Sequence, residues 1–273
     1  MASPRYIYRY KYLPDSVGIK GVVQAGTIKF THPSDFNDPF DCMPSSKLGE
    51  FANLQAINPR LHEAWSSHVG SPAQRLLSKE RSKRILREKI ENGDLLRLLL
   101  KDSSVLSLSK VPDSVLMWSH YANFHRGAVV EFKIPINNRP MSLIKSYMEL
   151  IALDVIYSSG RPKLEFTGAQ SNGSETLRQI YLAKSEHWAY EQESRVIKRQ
   201  GGAGIFEYNH SLLNSVIVGA RSECFYDVKS YAEVASKLVN KKVEVFKAEF
   251  DIAKYAIKIP GFRAKQDIPQ LLI

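Results

Sequence analysis

Apolar and polar positions change period several times along this chain, and each change marks an element. Residues 6–13, YIYRYKYL, alternate at period two, with Tyr6, Tyr8, Tyr10 and Tyr12 on one face and Ile7, Arg9 and Lys11 on the other, which predicts a first strand. Asp15 is placed to cap a short helix ending near Gly26, after which Thr27–Thr31 reads as a second strand and the segment from His32 to Pro44 as an ordered loop. From about Asn53 to Lys101 the spacing turns helical, with interruptions at Pro59 and at Gly70–Pro72, and predicts a mainly helical insertion at about residues 50–102.

The second half changes rhythm. Strands are predicted at Val105–Ser109, Ala128–Ile134, Asp154–Tyr157, Ser194–Lys198, Ser215–Val218, Val243–Phe250 and Ala253–Ile259, and helices over Ser114–Phe124, roughly Glu175–Tyr190, and Tyr226–Asn240. No repeat, low-complexity tract or Gly/Ser linker divides them, so the reading is one α+β domain over residues 1–273. Its expected architecture is a central mixed sheet flanked by helices.

Composition narrows the class of protein. The formal net charge is +10, and the segment QRLLSKERSKRILREKIENGDLLRLLL carries a dense basic face, so the field favours polyanions at low ionic strength. A solvated helix face with pairs such as Glu80 with Arg84 also explains that segment. Cys42 and Cys224 are far apart and follow no metal-ligand spacing, which suits core thiols in a reducing compartment. No uncharged apolar run approaches the length that spans a bilayer, so a soluble, cytoplasmic protein is expected, with no membrane partner and no metal.

Three clusters combine aromatic, charged and turn-forming residues. In Phe36-Asn37-Asp38-Pro39-Phe40-Asp41, the Asx residues suit a turn and the phenylalanines an anchor; its carboxylates could face a cation, but no calcium-loop glycine accompanies them. In Leu116-Met117-Trp118-Ser119-His120-Tyr121, Trp118 and Tyr121 share a helix side, and His120 and His125 are of the type that serves as general acid and base, or merely orders a helix end. In Lys184 to Arg195, KSEHWAYEQESR, Lys184 continues a helical stripe of Leu177 and Tyr181 toward Trp188 and so points to a site or a buried carboxylate. Glu193 and Arg195 then share one face of a strand, and an ion pair that only locks helix to strand would explain them equally.

Taken in order, YRYKYLP, FNDPFDC, LMWSHYANFHRG and K-x-x-x-W-x-x-E-x-E-x-R resemble the bacterial domain of unknown function 2971 family. More distantly, the layout is similar to ADP-ribosyltransferase-type domains: a first strand with a cation, a middle aromatic residue and a late strand opening on glutamate. That resemblance implies a central split sheet, mixed or antiparallel, and NAD as substrate. It implies Glu193, Glu191, His120 and Lys184 as the catalytic set, and Tyr8, Arg9, Tyr10, Lys11, Phe36, Asn37, Asp38, Trp118, Tyr121 and Arg195 as the NAD-contacting set. The expected reaction is ADP-ribosyl transfer or NAD hydrolysis, in a toxin or phage-defence effector, with a nucleic-acid or protein acceptor. A carboxylate near the ribose would stabilise its oxocarbenium-like transition state.

Two other classes fit the same residues. One is a nucleic-acid-binding protein or metal-independent nuclease using His120, His125 and Lys184, motivated by the positive charge and abundant tyrosines. The other is an interaction domain whose polar clusters are all structural.

Overall fold

The computed structural model describes residues 6–48, 71–136, 147–166 and 173–264; the beginning of the predicted insertion, with its break at Pro59, lies outside the described residues. The first strand holds the middle of the largest sheet. β1 (Tyr6–Leu13) pairs antiparallel over its whole length with β5 (Ala128–Pro135), from Tyr6 opposite Pro135 to Leu13 opposite Ala128. β5 pairs antiparallel with β12 (Leu213–Val218), which runs parallel to the edge strand β13 (Glu244–Lys247). On its other side β1 meets β4 (Ser104–Ser109) at Tyr10 and Ser109, and β4 leads antiparallel to β10 (Glu193–Lys198) and then to β6 (Leu153–Asp154). The sheet is thus large, mixed and mostly antiparallel, with helices on its faces.

Both faces of β1 are packed, so the period-two pattern sorts two cores rather than a core from solvent. Ile7 and Leu13 join a cluster with Ile19, Val22 and Val23 of α1 (Ser16–Val23) and Val228, Ala232 and Ala235 of α6 (Phe225–Leu238). Tyr8, Tyr10 and Tyr12 pack on the opposite face with Met117 and Trp118 of α4 (Val115–Tyr121). A third cluster adjoins them on this tyrosine face, where Val105 is packed by Cys42, by Leu96 and Leu100 of α3 (Asp94–Leu100), and by Ile180 of α5 (Gly173–Tyr181). The expected Asp15 cap is present, its carboxylate accepting the Gly18 N–H at 2.7 Å.

The basic segment forms α2 (Pro72–Glu91), opened by a Ser71–Gln74 capping box. Glu80 pairs with Lys83 at 2.8 Å, and Arg84 lies 4.0 Å from Glu88, so the charge pairing is of the expected kind with different partners.

Several predicted elements are redrawn by tertiary pairing. The helix predicted over Glu175–Tyr190 stops at Tyr181. Residues Ala183–Ser185 instead form β9, parallel to β7 (Ile156–Ser158), and a 3-10 helix covers Glu186–Glu191. Lys184 therefore stands on a strand, not on the helical stripe inferred for it. The single strand expected at Asp154–Tyr157 divides at Val155 into β6 and β7, which serve different partners. Val243–Phe250 likewise divides into β13 and β14 (Glu249–Phe250), and β14 pairs with the short final strand β15 (Ile257–Lys258). Three strands escaped the sequence pattern. β3 (Ser45–Leu48) pairs parallel with β8 (Lys163–Phe166), and β11 (Gly204–Glu207) pairs with β2 (Thr27–Phe30).

The helix predicted to reach Phe124 ends at Tyr121 because Asn123, Phe124 and His125 all take positive φ, at 47°, 52° and 69°. This turn lets backbone meet backbone. A Cβ on Gly127 would stand 2.0 Å from the Leu13 carbonyl oxygen, and one on Gly219 would stand 2.2 Å from that of His125. Neither neighbour is a side chain that can swing away. Replacing Gly127 with Ala should therefore destabilise the protein by about 1–3 kcal/mol or more, read as a lowered urea midpoint, whereas Gly160→Ala, with open space around it, should leave the midpoint in place.

Candidate functional site

Row alignment across the sheet decides which polar residues can meet. Glu193 is opposite Ser109, Ser109 opposite Tyr10, and Tyr10 opposite Glu131, so these side chains share the tyrosine face. Arg9, one position away, belongs to the other face. There its Nε donates to Ser194 Oγ at 2.8 Å, Nη1 to the Tyr8 carbonyl at 2.8 Å, and Nη2 to Asp154 at 3.2 Å. Asp154 also accepts from Lys110 at 2.6 Å, and Arg9 is 1 % exposed. The alternation of a strand thus separates Arg9 from the Glu193 side of the sheet.

On the tyrosine face a buried ionic network forms around Arg195. Its Nη1 and Nη2 donate to the two oxygens of Asp41 at 2.8 and 2.6 Å, while Nε and Nη2 donate to the two oxygens of Glu193 at 2.8 and 2.9 Å. Nη1 also reaches the Tyr181 carbonyl at 2.7 Å. All five guanidinium N–H groups are thereby used. Beside it, Lys184 Nζ lies 2.6 Å from Glu191, 3.0 Å from Glu193 and 3.5 Å from Asp41. The Phe36 ring lies under Arg195 at 5.4 Å, and the Trp188 ring lies 5.1 Å from the Lys184 amine.

Glu191, itself buried, links the network to Tyr121 and through it to the surface. Tyr121, half-buried, donates its hydroxyl to Glu191 Oε1 at 2.6 Å, and the exposed Asn37 donates its amide to that same hydroxyl oxygen at 3.3 Å. Tyr157 accepts the Glu193 backbone N–H at 2.7 Å. Three carboxylates, Asp41, Glu191 and Glu193, face two cations, Lys184 and Arg195, so the ionised cluster keeps one excess negative charge.

Proton affinities follow from these contacts. Burial alone would raise Glu193, but Arg195 and then Lys184 outweigh it and hold the carboxyl at about 2. Burial would lower Lys184, yet Glu193, Glu191 and Asp41 keep it above the usual lysine range. The Tyr121 hydroxyl is pushed up by burial and by its bond to Glu191. Lys11 differs. Its amine donates to the Ser107 carbonyl at 3.1 Å, and burial lowers it to about 8 despite the pull of Glu193. The Cys42 thiol is raised to about 12, first by burial, and is a core thiol rather than a nucleophile.

Of the sequence-derived candidates, Glu191, Glu193, Lys184, Arg195, Tyr121, Asn37 and Phe36 come together. Arg9 does not. Tyr8 packs in the tyrosine core, and Tyr10 spends its hydroxyl on Glu131 at 3.1 Å. Trp118 is fully buried, its indole N–H bonded to the Pro112 carbonyl at 2.8 Å and its ring covered by Tyr12 and His125. Asp38 accepts the Phe40 N–H through one oxygen at 2.9 Å, while its other oxygen is buried and unpartnered. His120 is exposed, with its ring 6.2 Å from that of Tyr121.

The lysine was picked out on an apolar helical stripe that does not exist, although the inference that it meets a carboxylate holds. Tyr157 is not among the sequence candidates, and Asp41 enters there only as a carboxylate that could face a cation. Asp41 sits in the FNDPFDC word, which offered a signal, whereas nothing local marks Tyr157.

The stretch from Met117 to Val196 carries Tyr121, Tyr157, Lys184, Glu191, Glu193 and Arg195, and it is this stretch that matches a family model, described as Protein of unknown function (DUF2971), over residues 117–196. Over that stretch, less than a third of its length, the chain is similar to the domain of unknown function 2971 family. Asn37 and Asp41, which complete the network, lie outside the matched residues. No curated protein and no solved structure matches the chain. Among the described residues no helix is long and apolar enough to cross a membrane.

Charge burial makes the network testable by stability. Glu193→Gln removes a carboxylate from a guanidinium that is 0 % exposed, which should cost about 3–5 kcal/mol. Glu193 has a lowered pKa, so its contribution is fully present above the ordinary value of 4.5 and is lost as pH falls through about 2. Urea midpoints of the wild type should fall across that window, and the Gln variant should lack this component. Equal midpoints for the two proteins at pH 7 would remove the ion network from the account of stability.

Proposed function

We propose that this protein cleaves the nicotinamide–ribose bond of NAD, as an NAD glycohydrolase or ADP-ribosyltransferase, with Glu191 as the carboxylate that faces the ribose. The observation that carries this reading is the Glu191 side chain, held between the Tyr121 hydroxyl and the Lys184 amine at 2.6 Å each, in a cluster with one excess negative charge. Loss of nicotinamide leaves positive charge on the ribose carbon and ring oxygen. A fixed carboxylate in a buried setting favours that charge more than it favours the neutral ribose of the ground state. Both carboxylates have both oxygens bonded, but Glu191 meets one cation, Lys184, and the half-buried Tyr121, whereas Glu193 meets two cations, Arg195 and Lys184.

The neighbouring groups have consistent roles. Trp188 and Tyr190 project from the same 3-10 turn as Glu191 and stand 6.1 Å apart, offering rings for the nicotinamide leaving group. Tyr121 and Asn37 form the polar rim through which a ribose hydroxyl approaches Glu191 Oε1. Lys184 and Arg195 act as positioning residues, fixing the carboxylates rather than touching substrate. A nuclease built on His120, His125 and Lys184 has less support. Lys184 is engaged by carboxylates, and His125 is buried between Trp118 and Phe250 with Ser119 as its partner at 3.1 Å.

Purified protein incubated with NAD carrying labelled nicotinamide should release the label. Glu191→Gln should slow release by about 100- to 1,000-fold, as for loss of one electrostatic stabiliser, while the exposed His120→Ala should change it little. No release by the wild type, with protein and nucleic-acid acceptors supplied, would rule the proposal out.

A further inference from the structure

The β7–β9 ribbon has a second face. Its register sets Ile156 beside Ala183, Tyr157 beside Lys184 and Ser158 beside Ser185. Side chains alternate across a strand, so Tyr157 and Lys184, which meet the carboxylate network, leave their neighbours directed the other way. Ile156, Ser158 and Ala183 line a cavity of about 290 Å³ between the ribbon, the start of β8 and α5. The cavity and the network therefore sit back to back on one ribbon.

The chemistry of this cavity is different from that of the network. Lys163 of β8 and Arg178 of α5 both line it, and neither has an ion-pair partner among the described residues. Glu175 and Gln179 of α5 add acceptor oxygens, and Ile156, Pro162 and Ala183 supply apolar surface. We propose that the cavity binds a small phosphomonoester whose organic part carries hydroxyl or amino groups, the chemistry shared by sugar phosphates and nucleoside monophosphates.

Charge and size lead to that class. A phosphomonoester carries a charge of about −1.5 to −2 near pH 7; Lys163 and Arg178 offer it two positive charges, and the lining nets +1 once Glu175 is counted. Arginine adds a planar fork suited to two phosphate oxygens. An inorganic phosphate would satisfy the cations but leave the remaining volume and the Glu175 carboxylate unmatched. The cavity approaches the lower end of small-molecule pockets, about 300–1,000 Å³, which leaves room for a sugar against Ile156 and Pro162. Glu175 and Gln179 then accept its hydroxyl or amino hydrogens. This site does not rest on the NAD reading, because it uses the opposite face of the ribbon and none of the network's side chains.

The test is a calorimetric titration of the full chain at physiological salt with ribose 5-phosphate, AMP and orthophosphate as probes. At least one organic phosphate should bind about tenfold or more tightly than orthophosphate, the increment of one or two added polar contacts. The double variant Lys163→Glu/Arg178→Glu should abolish that binding. Both positions are exposed, and an unchanged thermal midpoint will show that the variant folds; the milder Arg178→Gln, expected to weaken binding several-fold, provides the same reading if it does not. Glu191→Gln should bind as the wild type does, whether or not NAD cleavage is found. The proposal is overturned if neither organic phosphate binds more tightly than orthophosphate, if the substitutions leave affinity unchanged, or if Glu191→Gln removes binding and so moves the ligand to the other face.

Discussion

A guanidinium taken out of water must be given back as many hydrogen-bond acceptors as it loses. Arg195 meets that demand with two carboxylates and a carbonyl drawn from three separate segments: Asp41 from the loop after β2, Glu193 from its own strand, and Tyr181 from the end of α5. This single side chain fixes how those segments lie against one another. Asp41 carries the FNDPFDC loop with it, which delivers Asn37 to Tyr121 and Phe36 to the guanidinium face. Glu193, held from one side by Arg195, in turn holds Lys184, and Lys184 holds Glu191. Glu191, the end of the network that meets Tyr121, is thus supported through Arg195, Glu193 and Lys184 in succession.

The sheet provides the separation that the network needs. One face of β1 is filled by tyrosines and Trp118, and the third core lies farther along the same face, leaving the ionic cluster near the point where β4 meets β1. Charges in that position are shielded from solvent on most sides, which strengthens their mutual attraction and explains why burial fails to neutralise Glu193 or Lys184. A second, smaller group of charges, Arg9, Asp154 and Lys110, occupies the opposite face. The two groups lie within a few residues of each other in sequence terms of the strands, yet the sheet stands between them.

Periodicity revealed elements whose own residues decide their conformation. The alternating YIYRYKYL strand, the Asp15-capped helix and the β-branched strands from Ala128 and Ser215 were all legible. Periodicity failed where pairing partners decide. Residues 182–191 have helical spacing, but β7 offers β9 a parallel partner, and three carboxylates draw Lys184 out of a helix. The very short strands β3, β8 and β11 have no pattern of their own, since each is defined by the strand it borders.

The candidate site was legible as residue types: an aromatic helix, a lysine in an apolar context, and a glutamate-rich word before a strand. By itself the sequence determined a family resemblance and the presence of charged residues that no plain core would contain, because uncommon words and local spacing are properties of contiguous chain. Only the tertiary structure decided that Arg9 belongs to the far face, that Glu191 rather than Glu193 meets Tyr121, and that Asp41 and Tyr157 complete the cluster. Those outcomes depend on strand order and register, which bring together residues more than a hundred positions apart and which short-range patterns do not encode.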